Sequence, residues 1–319
     1  MKTLSFDRFG GPEVLDYREV ADPVPLAHQA LVQTAAIGLN FADVYRRKGT
    51  YHLQGKPPFI AGYEAAGVVL AAAQGSGFSV GQRVGFADMP FANAERVAVD
   101  VDKLIALPDD ISFETAAAVL LQGLTAQYLV RDSHRILPDQ SVLVHAAAGG
   151  VGLLLTQMCR AIGARVIGVT SSVAKAQQAL AAGAGAVALY EDDWVAAART
   201  FGGTGVDVAY DSVGSTLRQS LDAVRTGGHV VFYGMAGGDP APVDPRLLMD
   251  TSKSLTGGDL WNVLTSAAQR RQRAAELFGW LRNGQLRVHI DSQFRLAEGA
   301  AAHARLESRA SSGKVLLIP

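Results

Sequence analysis

A run of small residues near the middle of the chain has the spacing of a phosphate-binding turn. Residues 142–157 read VLVHAAAGGVGLLLTQ, in which Ala147, Gly149 and Gly152 follow the pattern small-x-Gly-x-x-Gly between a predicted strand and a predicted helix. Small residues let the backbone turn tightly and approach a pyrophosphate, and the free N–H groups at the helix start bind its charge. The run therefore predicts a dinucleotide site.

The end of the next predicted strand indicates which dinucleotide binds. NAD sites usually place Asp or Glu about 20 residues after the glycines, where it holds the ribose hydroxyls. Residues 166–175 contain no acid, and Ser171, Ser172 and Lys175 stand there instead. Hydroxyls and an ammonium suit a 2′-phosphate, which a carboxylate would repel, so the sequence favours NADPH. The alternative is a solvated helix start capped by serine.

The elements around these residues alternate between apolar strands and alanine-rich helices. Between about residues 112 and 250, glycine turns and helical stretches separate five apolar runs, at residues 141–146, 165–170, 186–190, 206–211 and 229–234. Continuous apolar strands between helices indicate a parallel sheet covered on both faces. This part is predicted to be an α/β domain with a Rossmann doubly wound parallel sheet.

The sequence before about residue 110 has a different texture. Short alternating runs at residues 30–36, 66–72 and 83–86 are separated by Gly-Pro, Gly-Gly and Pro-Pro turns, which is typical of antiparallel β structure. Residues 269–283 predict one helix, and residues 314–318 predict a strand that rejoins the first domain. We therefore predict a discontinuous, mostly-β catalytic domain at 1–120 and 257–319, and a dinucleotide-binding domain at 121–256.

Composition narrows the functional classes. The chain has 319 residues, 49% hydrophobic and 18% charged, which is enough apolar material for two cores. Its formal net charge of −1 gives no long-range field for nucleic acid or an anionic membrane surface, so neither partner is expected. The single cysteine, Cys159, excludes an internal disulfide and is predicted to be a buried helical residue. No apolar run reaches membrane-spanning length, and we expect a cytoplasmic protein.

Four segments occur in a characteristic order: residues 40–49 (NFADVYRRKG), 61–69 (AGYEAAGVV), 121–126 (LQGLTA) and 145–152 (HAAAGGVG). With the tail ESRASSGKVLLIP at 307–319, the chain resembles the quinone oxidoreductase, or zeta-crystallin-like, branch of the medium-chain dehydrogenase/reductase superfamily. The resemblance runs through nearly the whole chain. It implies that the first domain is GroES-like, and that the chain forms a homodimer through the sheet edge of the cofactor domain.

The chain departs from the zinc-dependent relatives in that superfamily. Their ligand cysteine and histidine correspond to Asn40 and Tyr63 here, and their four-cysteine lobe is missing. Zinc prefers a near-tetrahedral set of Cys, His and carboxylate ligands, so we predict no metal site. Glu64 survives from the zinc motif. It is either a ligand or catalytic acid or, as we favour, a structural carboxylate that holds backbone amides or an arginine.

The resemblance also implies the site residues. Asn40, Tyr45 and Tyr51 match the catalytic positions, where Asn40 and Tyr45 position nicotinamide and substrate and Tyr51 closes the pocket. A tyrosine hydroxyl can donate to the substrate oxygen as charge develops on it, and ordinary packing is the alternative for each tyrosine. The implied cofactor-binding residues are Gln122, Thr125, Ala148, Gly149, Gly150, Val151, Ser171, Lys175, Tyr190, Ser212, Phe232, Tyr233 and Gly234.

Three functions follow from these expectations. The first is reduction of a quinone by NADPH without a metal. The second is NADPH-dependent reduction of an enone or alkenal double bond, because both acceptors are flat conjugated carbonyls. The third belongs to another class: a structural or RNA-binding, crystallin-like protein that retains NADPH. The near-neutral charge and the complete set of predicted nicotinamide contacts argue against this third function.

Overall fold

A computed structural model describes residues 1–51 and 55–319. The chain divides into two compact units. The first contains Met1–Leu124, Leu264–Gly279 and Val288–Pro319, and the second contains Thr125–Val263 and Trp280–Arg287. The first unit is therefore discontinuous in sequence.

The strands and helices are numbered along the chain. The strands are β1 Lys2–Phe6, β2 Asp16–Glu19, β3 Gln29–Leu39, β4 Phe59–Ile60, β5 Ala65–Ala72, β6 Arg83–Phe86, β7 Arg96–Asp100, β8 Ile105–Ala106, β9 Ser141–Val144, β10 Arg165–Thr170, β11 Ala186–Leu189, β12 Val206–Asp211, β13 Val224–Phe232, β14 Ser254–Gly257, β15 Ile290–Arg295 and β16 Lys314–Ile318. The helices are α1 Phe41–Lys48, α2 Phe113–Tyr128, α3 Gly150–Ile162, α4 Val173–Ala181, α5 Trp194–Gly202, α6 Leu217–Ala223, α7 Pro245–Thr251, α8 Leu260–Val263, α9 Ala267–Arg282 and α10 Gly299–Glu307.

The second unit is built on one six-stranded sheet. Its strand order is β11-β10-β9-β12-β13-β14, and every neighbouring pair is parallel. The order reverses between β9 and β12, which is the switch point of a doubly wound sheet. Buried aliphatic residues such as Leu143, Ile167 and Ala209 form the core between sheet and helices. The predicted Rossmann fold is confirmed.

The first unit is mostly β. Seven strands form one sheet in the order β15-β16-β3-β5-β6-β8, with β7 also paired to β3, and β2-β1-β4 form a second sheet. The C-terminal strand β16 pairs antiparallel with β3, with Val315 opposite Leu39. The tail, which the sequence predicts to rejoin the first domain, thus pairs with a strand of the first unit. The predicted mostly-β fold of this unit is confirmed.

Local sequence explains where helix α1 begins and ends. The carboxylate of Asp43 in the first turn accepts from the N–H of Asn40, the residue that precedes the helix, at 2.7 Å. Gly49 follows the last turn with φ +81°, a left-handed conformation that glycine adopts at little cost. Both ends of α1 are therefore fixed by residues next to it in sequence.

Two smaller expectations concern burial. Cys159 lies buried in α3, where desolvation raises the pKa of its thiol to about 12, so it is a packed residue as predicted. Among the helices in residues 1–51 and 55–319, none is long and apolar enough to cross a membrane.

Candidate active site

The predicted phosphate turn joins the central strand of the parallel sheet to helix α3. Strand β9 ends at Val144, and Gly149 in an extended conformation precedes the first helical residue, Gly150. A Cβ on Gly152 would collide with the carbonyl oxygen of Ala146 and lie 2.9 Å from Cα of Ala147. Only glycine therefore fits where the helix crosses the turn, and this close packing is what a dinucleotide-binding turn requires.

Tyr190 holds this turn from the neighbouring part of the sheet. Ala146 begins the turn with φ +46°, which is uncommon for a residue with a side chain. Its N–H donates to the hydroxyl of Tyr190 at 2.9 Å. The same hydroxyl lies 3.2 Å from Nδ1 of His145, and the two rings stack with centroids 5.8 Å apart. Tyr190 therefore supports the strained start of the turn.

A buried chain of hydrogen bonds continues behind Tyr190. Nε2 of His145 lies 3.0 Å from the hydroxyl of Ser220, which in turn donates to Asp211 at 2.6 Å. Burial lowers the pKa of His145, so its imidazole is neutral near pH 7. With the proton on Nε2, each donor has one acceptor: the Ala146 N–H donates to Tyr190, the Tyr190 hydroxyl to Nδ1 of His145, Nε2 of His145 to Ser220, and Ser220 to Asp211. His145 is thus a packed residue, with a hydrogen-bond partner at each ring nitrogen.

Polar residues at the end of β10 occupy the place where an NAD site carries its acid. Ser172 precedes helix α4, and its hydroxyl accepts from the N–H of Lys175 at 3.4 Å. The serine-cap alternative therefore describes Ser172. Ser171 is exposed and Lys175 is half-buried, and both remain predicted ligands of the 2′-phosphate.

The other predicted cofactor residues of this unit include the carboxyl ends of β12 and β13. Backbone hydrogen bonds join these two ends: Tyr233 donates to the carbonyl of Asp211 at 2.9 Å, and Ala236 donates to that of Ser212 at 3.0 Å. A Cβ on Gly234 would lie 3.1 Å from the carbonyl oxygen of Ser212. Ligands of open parallel sheets bind at such ends. The remaining predicted residues here are buried Ala148 and half-buried Val151 and Phe232.

The predicted catalytic asparagine lies in the first unit, inside a buried polar cluster. Asn40 is 4% exposed, and its Nδ2 donates to the carbonyl of Gly38 at 3.1 Å and to Glu64 at 2.9 Å. Its Oδ1 accepts from Lys314 Nζ at 2.9 Å. The amide is therefore engaged at both ends by the protein, which makes Asn40 a fixed structural point at the start of α1.

Glu64 is the centre of this cluster. It forms an ion pair of 2.6 Å with Lys314 and accepts from the N–H of Leu121 at 2.6 Å. Burial raises the pKa of Glu64 and lowers that of Lys314, while their mutual attraction opposes both shifts. Glu64 holds a backbone amide as we favoured from sequence, but its cationic partner is a lysine and not an arginine. Lys314 was missed because it reads as the edge of an apolar strand.

The predicted catalytic tyrosines belong to a row of aromatic side chains. Tyr45 and Tyr51 have ring centroids 6.1 Å apart in an edge-on arrangement, and Tyr51 meets Tyr63 in the same way at 6.0 Å. Tyr45 and Tyr51 are half-buried, whereas Tyr63 is 1% exposed. The structure therefore groups the two predicted tyrosines with Tyr63, whose role the sequence did not assign.

Arg46 lies at the buried end of the aromatic row. Its guanidinium carbon is 5.5 Å from the ring centroid of Tyr63 and 5.1 Å from that of Phe91, and Nη1 donates to the Tyr63 hydroxyl at 3.4 Å. Sequence reasoning missed Arg46, because an arginine near a helix end usually faces solvent.

Gln122 and Thr125 lie three residues apart in helix α2, and each is 8% exposed.

In the part of the chain that the structure describes, no three His, Cys, Asp or Glu side chains are grouped so that they could hold a metal ion.

Comparison with known proteins identifies related families and structures. Residues 26–141 match the alcohol dehydrogenase GroES-like domain, and residues 150–277 match the family described as zinc-binding dehydrogenase. A quinone oxidoreductase of Pseudomonas aeruginosa is 38% identical across 100% of this chain and 99% of its own length. A 2-haloacrylate reductase of a Burkholderia species is 36% identical, covering 97% of this chain and 96% of its own. The structure of Escherichia coli quinone oxidoreductase complexed with NADPH superposes with a TM-score of 0.96, at 38% identity and with 100% of both chains covered.

Proposed function

This chain belongs to the quinone oxidoreductase branch of the medium-chain dehydrogenase/reductase superfamily, and we propose that it reduces quinones with NADPH. Bound NADPH supplies a hydride, which with one proton converts the quinone to a hydroquinone and leaves NADP⁺. The protein's share is to bind both reactants, orient them and stabilise the charge that develops on the quinone oxygen.

The phosphate turn is the observation that carries the proposal. Gly152 allows the close crossing of turn and helix, and Tyr190 fixes the conformation of Ala146. Ser171 and Lys175 offer a hydroxyl and a cation to the 2′-phosphate, which selects NADPH over NADH. The NADPH bound to the Escherichia coli relative supports the same choice of cofactor.

On the acceptor side, the half-buried Tyr45 and Tyr51 are the groups that we assign to the substrate. Their rings pack against the flat acceptor, and a hydroxyl donates to its oxygen. Asn40 contributes differently, because its amide is engaged by Gly38, Glu64 and Lys314. It fixes the start of α1, the helix that carries Tyr45, and so acts as a positioning residue.

We further propose that the reaction needs no metal. Asn40 and Tyr63 replace the ligand cysteine and histidine of the zinc-dependent relatives. Amide and phenol oxygens are poor zinc ligands. Glu64, the carboxylate left from that motif, is already held by Lys314. Polarisation of the substrate carbonyl is therefore assigned to hydroxyl donors.

A second candidate function is reduction of a conjugated carbon–carbon double bond. It is favoured by the similarity to the 2-haloacrylate reductase, whose named substrate is a conjugated acid. The test is NADPH oxidation with 1,4-benzoquinone, a small enone and 2-chloroacrylate under identical conditions. Faster turnover of the quinone supports the first function, and faster turnover of either alkene supports the second. Tight NADPH binding without turnover of any acceptor would instead place the chain among structural, crystallin-like proteins.

Assembly and location complete the proposal. Strand β14 is the last strand of the parallel sheet and pairs only with β13 among the described strands. Its outer edge has backbone groups available to a second copy, so we assign the homodimer contact to Ser254–Gly257. Residues 230–232 belong to β13, which is paired on both sides, and are therefore not at the edge. A cytoplasmic location accords with the lone, buried Cys159.

A further inference from the structure

Arg46 is a buried arginine of the first unit whose guanidinium has few hydrogen-bond partners. Arg46 is 0% exposed, and neither Nε nor Nη2 has a hydrogen-bond partner among the residues that the structure describes. The one hydrogen bond that Arg46 makes within residues 1–51 and 55–319 goes to the hydroxyl of Tyr63 and is long, at 3.4 Å. A guanidinium is always charged, and burying it without partners is costly.

The next residue shows how the same unit treats a structural arginine. Arg47 is also 0% exposed, but Nε donates to the carbonyl of Gly10 at 3.1 Å, Nη1 lies 3.1 Å from Nδ1 of His303, and Nη2 is paired with Glu307. All three nitrogens have partners there. Two neighbours on one helix are thus buried alike but compensated differently, which singles out Arg46.

The acid nearest to Arg46 in sequence offers weak compensation. Asp43 lies one turn earlier on α1, and its Oδ2 is used by the N–H of Asn40. Burial raises the pKa of Asp43 to about 7, so a large fraction of it is neutral near that pH. A net positive charge therefore remains beneath the aromatic row.

The aromatic row leads from this charge to the predicted acceptor residues. Arg46 lies over the ring of Tyr63, Tyr63 meets Tyr51 edge-on, and Tyr51 meets Tyr45 edge-on. Aromatic rings of low polarity screen a charge much less than water does. A donor to the Tyr63 hydroxyl also polarises its O–H group.

We propose that Arg46 is a specificity-determining residue, which makes the acceptor site prefer conjugated carbonyl compounds that carry an anionic substituent such as a carboxylate or sulfonate. The inference rests on the proposed function for the location of the acceptor. Arg46 acts through Tyr63 and Tyr51 and is a positioning charge, not a catalytic residue. At a separation of about 10 Å and an effective dielectric constant of about 20, the preference is on the order of tenfold.

The test compares matched acceptors in matched variants. Turnover of 1,2-naphthoquinone-4-sulfonate and of 1,2-naphthoquinone is measured with Arg46→Met, which keeps the length and apolar stem, and with Arg46→Lys, which keeps the charge. Arg271→Met is the control, since Arg271 is an exposed arginine over the ring of Phe78 and its removal changes the net charge equally. Calorimetry of hydroquinone sulfonate and hydroquinone binding gives a readout without turnover.

The inference requires wild type, Arg46→Lys and Arg271→Met to favour the sulfonated compounds, and Arg46→Met to lose most of that preference. The inference is overturned if Arg46→Met melts near the wild-type temperature and still shows the wild-type preference for the sulfonated compounds. If Arg46→Met does not fold, calorimetry of the wild type is the test. Equal wild-type affinity for hydroquinone sulfonate and hydroquinone also overturns the inference. Failure of the wild type to reduce either quinone would refute the proposed function, and hydroquinone binding would then judge Arg46 alone.

Discussion

The ion pair between Glu64 and Lys314 gives a quantitative prediction about what holds the start of α1. The two side chains are 0% and 1% exposed, and their charged atoms lie 2.6 Å apart. Lys314→Met would leave Glu64 as a buried carboxylate with two neutral donors, the N–H of Leu121 and the amide of Asn40. Breaking a buried pair in this way costs ~3–5 kcal/mol, a large part of a typical stability of about 5–15 kcal/mol.

The double variant separates the pair from its surroundings. Removing both charges with Glu64→Gln and Lys314→Met leaves neither member of this pair as a buried unpaired charge. We therefore expect the double variant to be more stable than the sum of the single losses by ~2 kcal/mol or more. The measurement is urea unfolding of the wild type, the two single variants and the double variant, followed by circular dichroism.

Protonation adds a signature that simple loss of packing lacks. Burial already raises the pKa of Glu64, and removing Lys314 takes away the main opposing charge, so the pKa rises further. A carboxyl with a raised folded-state pKa loses its stabilising contribution as pH rises through that value. The Lys314→Met variant should therefore lose stability more steeply than the wild type as pH rises above the ordinary glutamate pKa of about 4.3.

The matched control is the exposed lysine–glutamate pair Lys2–Glu19, whose atoms are 3.0 Å apart and whose side chains are 41% and 73% exposed. Lys2→Met should change stability little, because water screens this pair. The reasoning is refuted if Lys314→Met is as mild as Lys2→Met, or if the effects at Glu64 and Lys314 are simply additive.

Three further predictions concern the turn, the cofactor and the buried acid. Gly152→Ala places a Cβ against the carbonyl of Ala146, so the NADPH dissociation constant measured by fluorescence should rise at least ~10-fold. The control is Gly279→Ala in helix α9, where a Cβ meets open space, and it should stabilise the protein by ~0.5–1 kcal/mol. Lys175→Gln removes a charged partner of the 2′-phosphate and should raise KM for NADPH ~10-fold or more with little change for NADH, as judged by steady-state kinetics. Burial raises the pKa of Asp43 from 3.8 to about 7, and Asp43→Asn removes this carboxyl. The unfolding free energy of Asp43→Asn relative to that of the wild type should therefore grow by up to ~4 kcal/mol as pH rises across that range.

Each of these predictions has a contrary result. Unchanged NADPH affinity in Gly152→Ala would mean that the turn relaxes without affecting the cofactor. Equal losses with NADPH and NADH in Lys175→Gln would remove Lys175 from the 2′-phosphate. A stability difference between Asp43→Asn and the wild type that stays constant with pH would mean that Asp43 does not titrate in this range.

The parallel sheet and the phosphate turn could be predicted because their signals are local. Residues 165–170 and 206–211 were predicted as strands and are β10 and β12 without change. A continuous apolar run between glycine turns must bury both of its faces, and a strand in a parallel sheet covered by helices does so. The glycine spacing likewise fixes where helix α3 can begin.

The polar cluster around Asn40 could not be predicted, because its partners are far apart in sequence. Glu64 follows Asn40 by 24 residues and Lys314 follows it by 274. A lysine beside an apolar strand normally extends to solvent, and the local sequence does not indicate that this one has a buried carboxylate partner. The link between Tyr190 and Ala146, 44 residues apart, was missed for the same reason.

The most direct test of the central claim is NADPH oxidation with 1,4-benzoquinone, followed by the loss of reduced-nicotinamide absorbance, before and after exhaustive dialysis against a zinc chelator and in parallel with NADH. We expect quinone turnover that survives the chelator and that is much faster with NADPH than with NADH. Loss of turnover on chelation, restored by zinc, would contradict the metal-free proposal, and equal rates with the two nucleotides would contradict the assignment of Ser171 and Lys175.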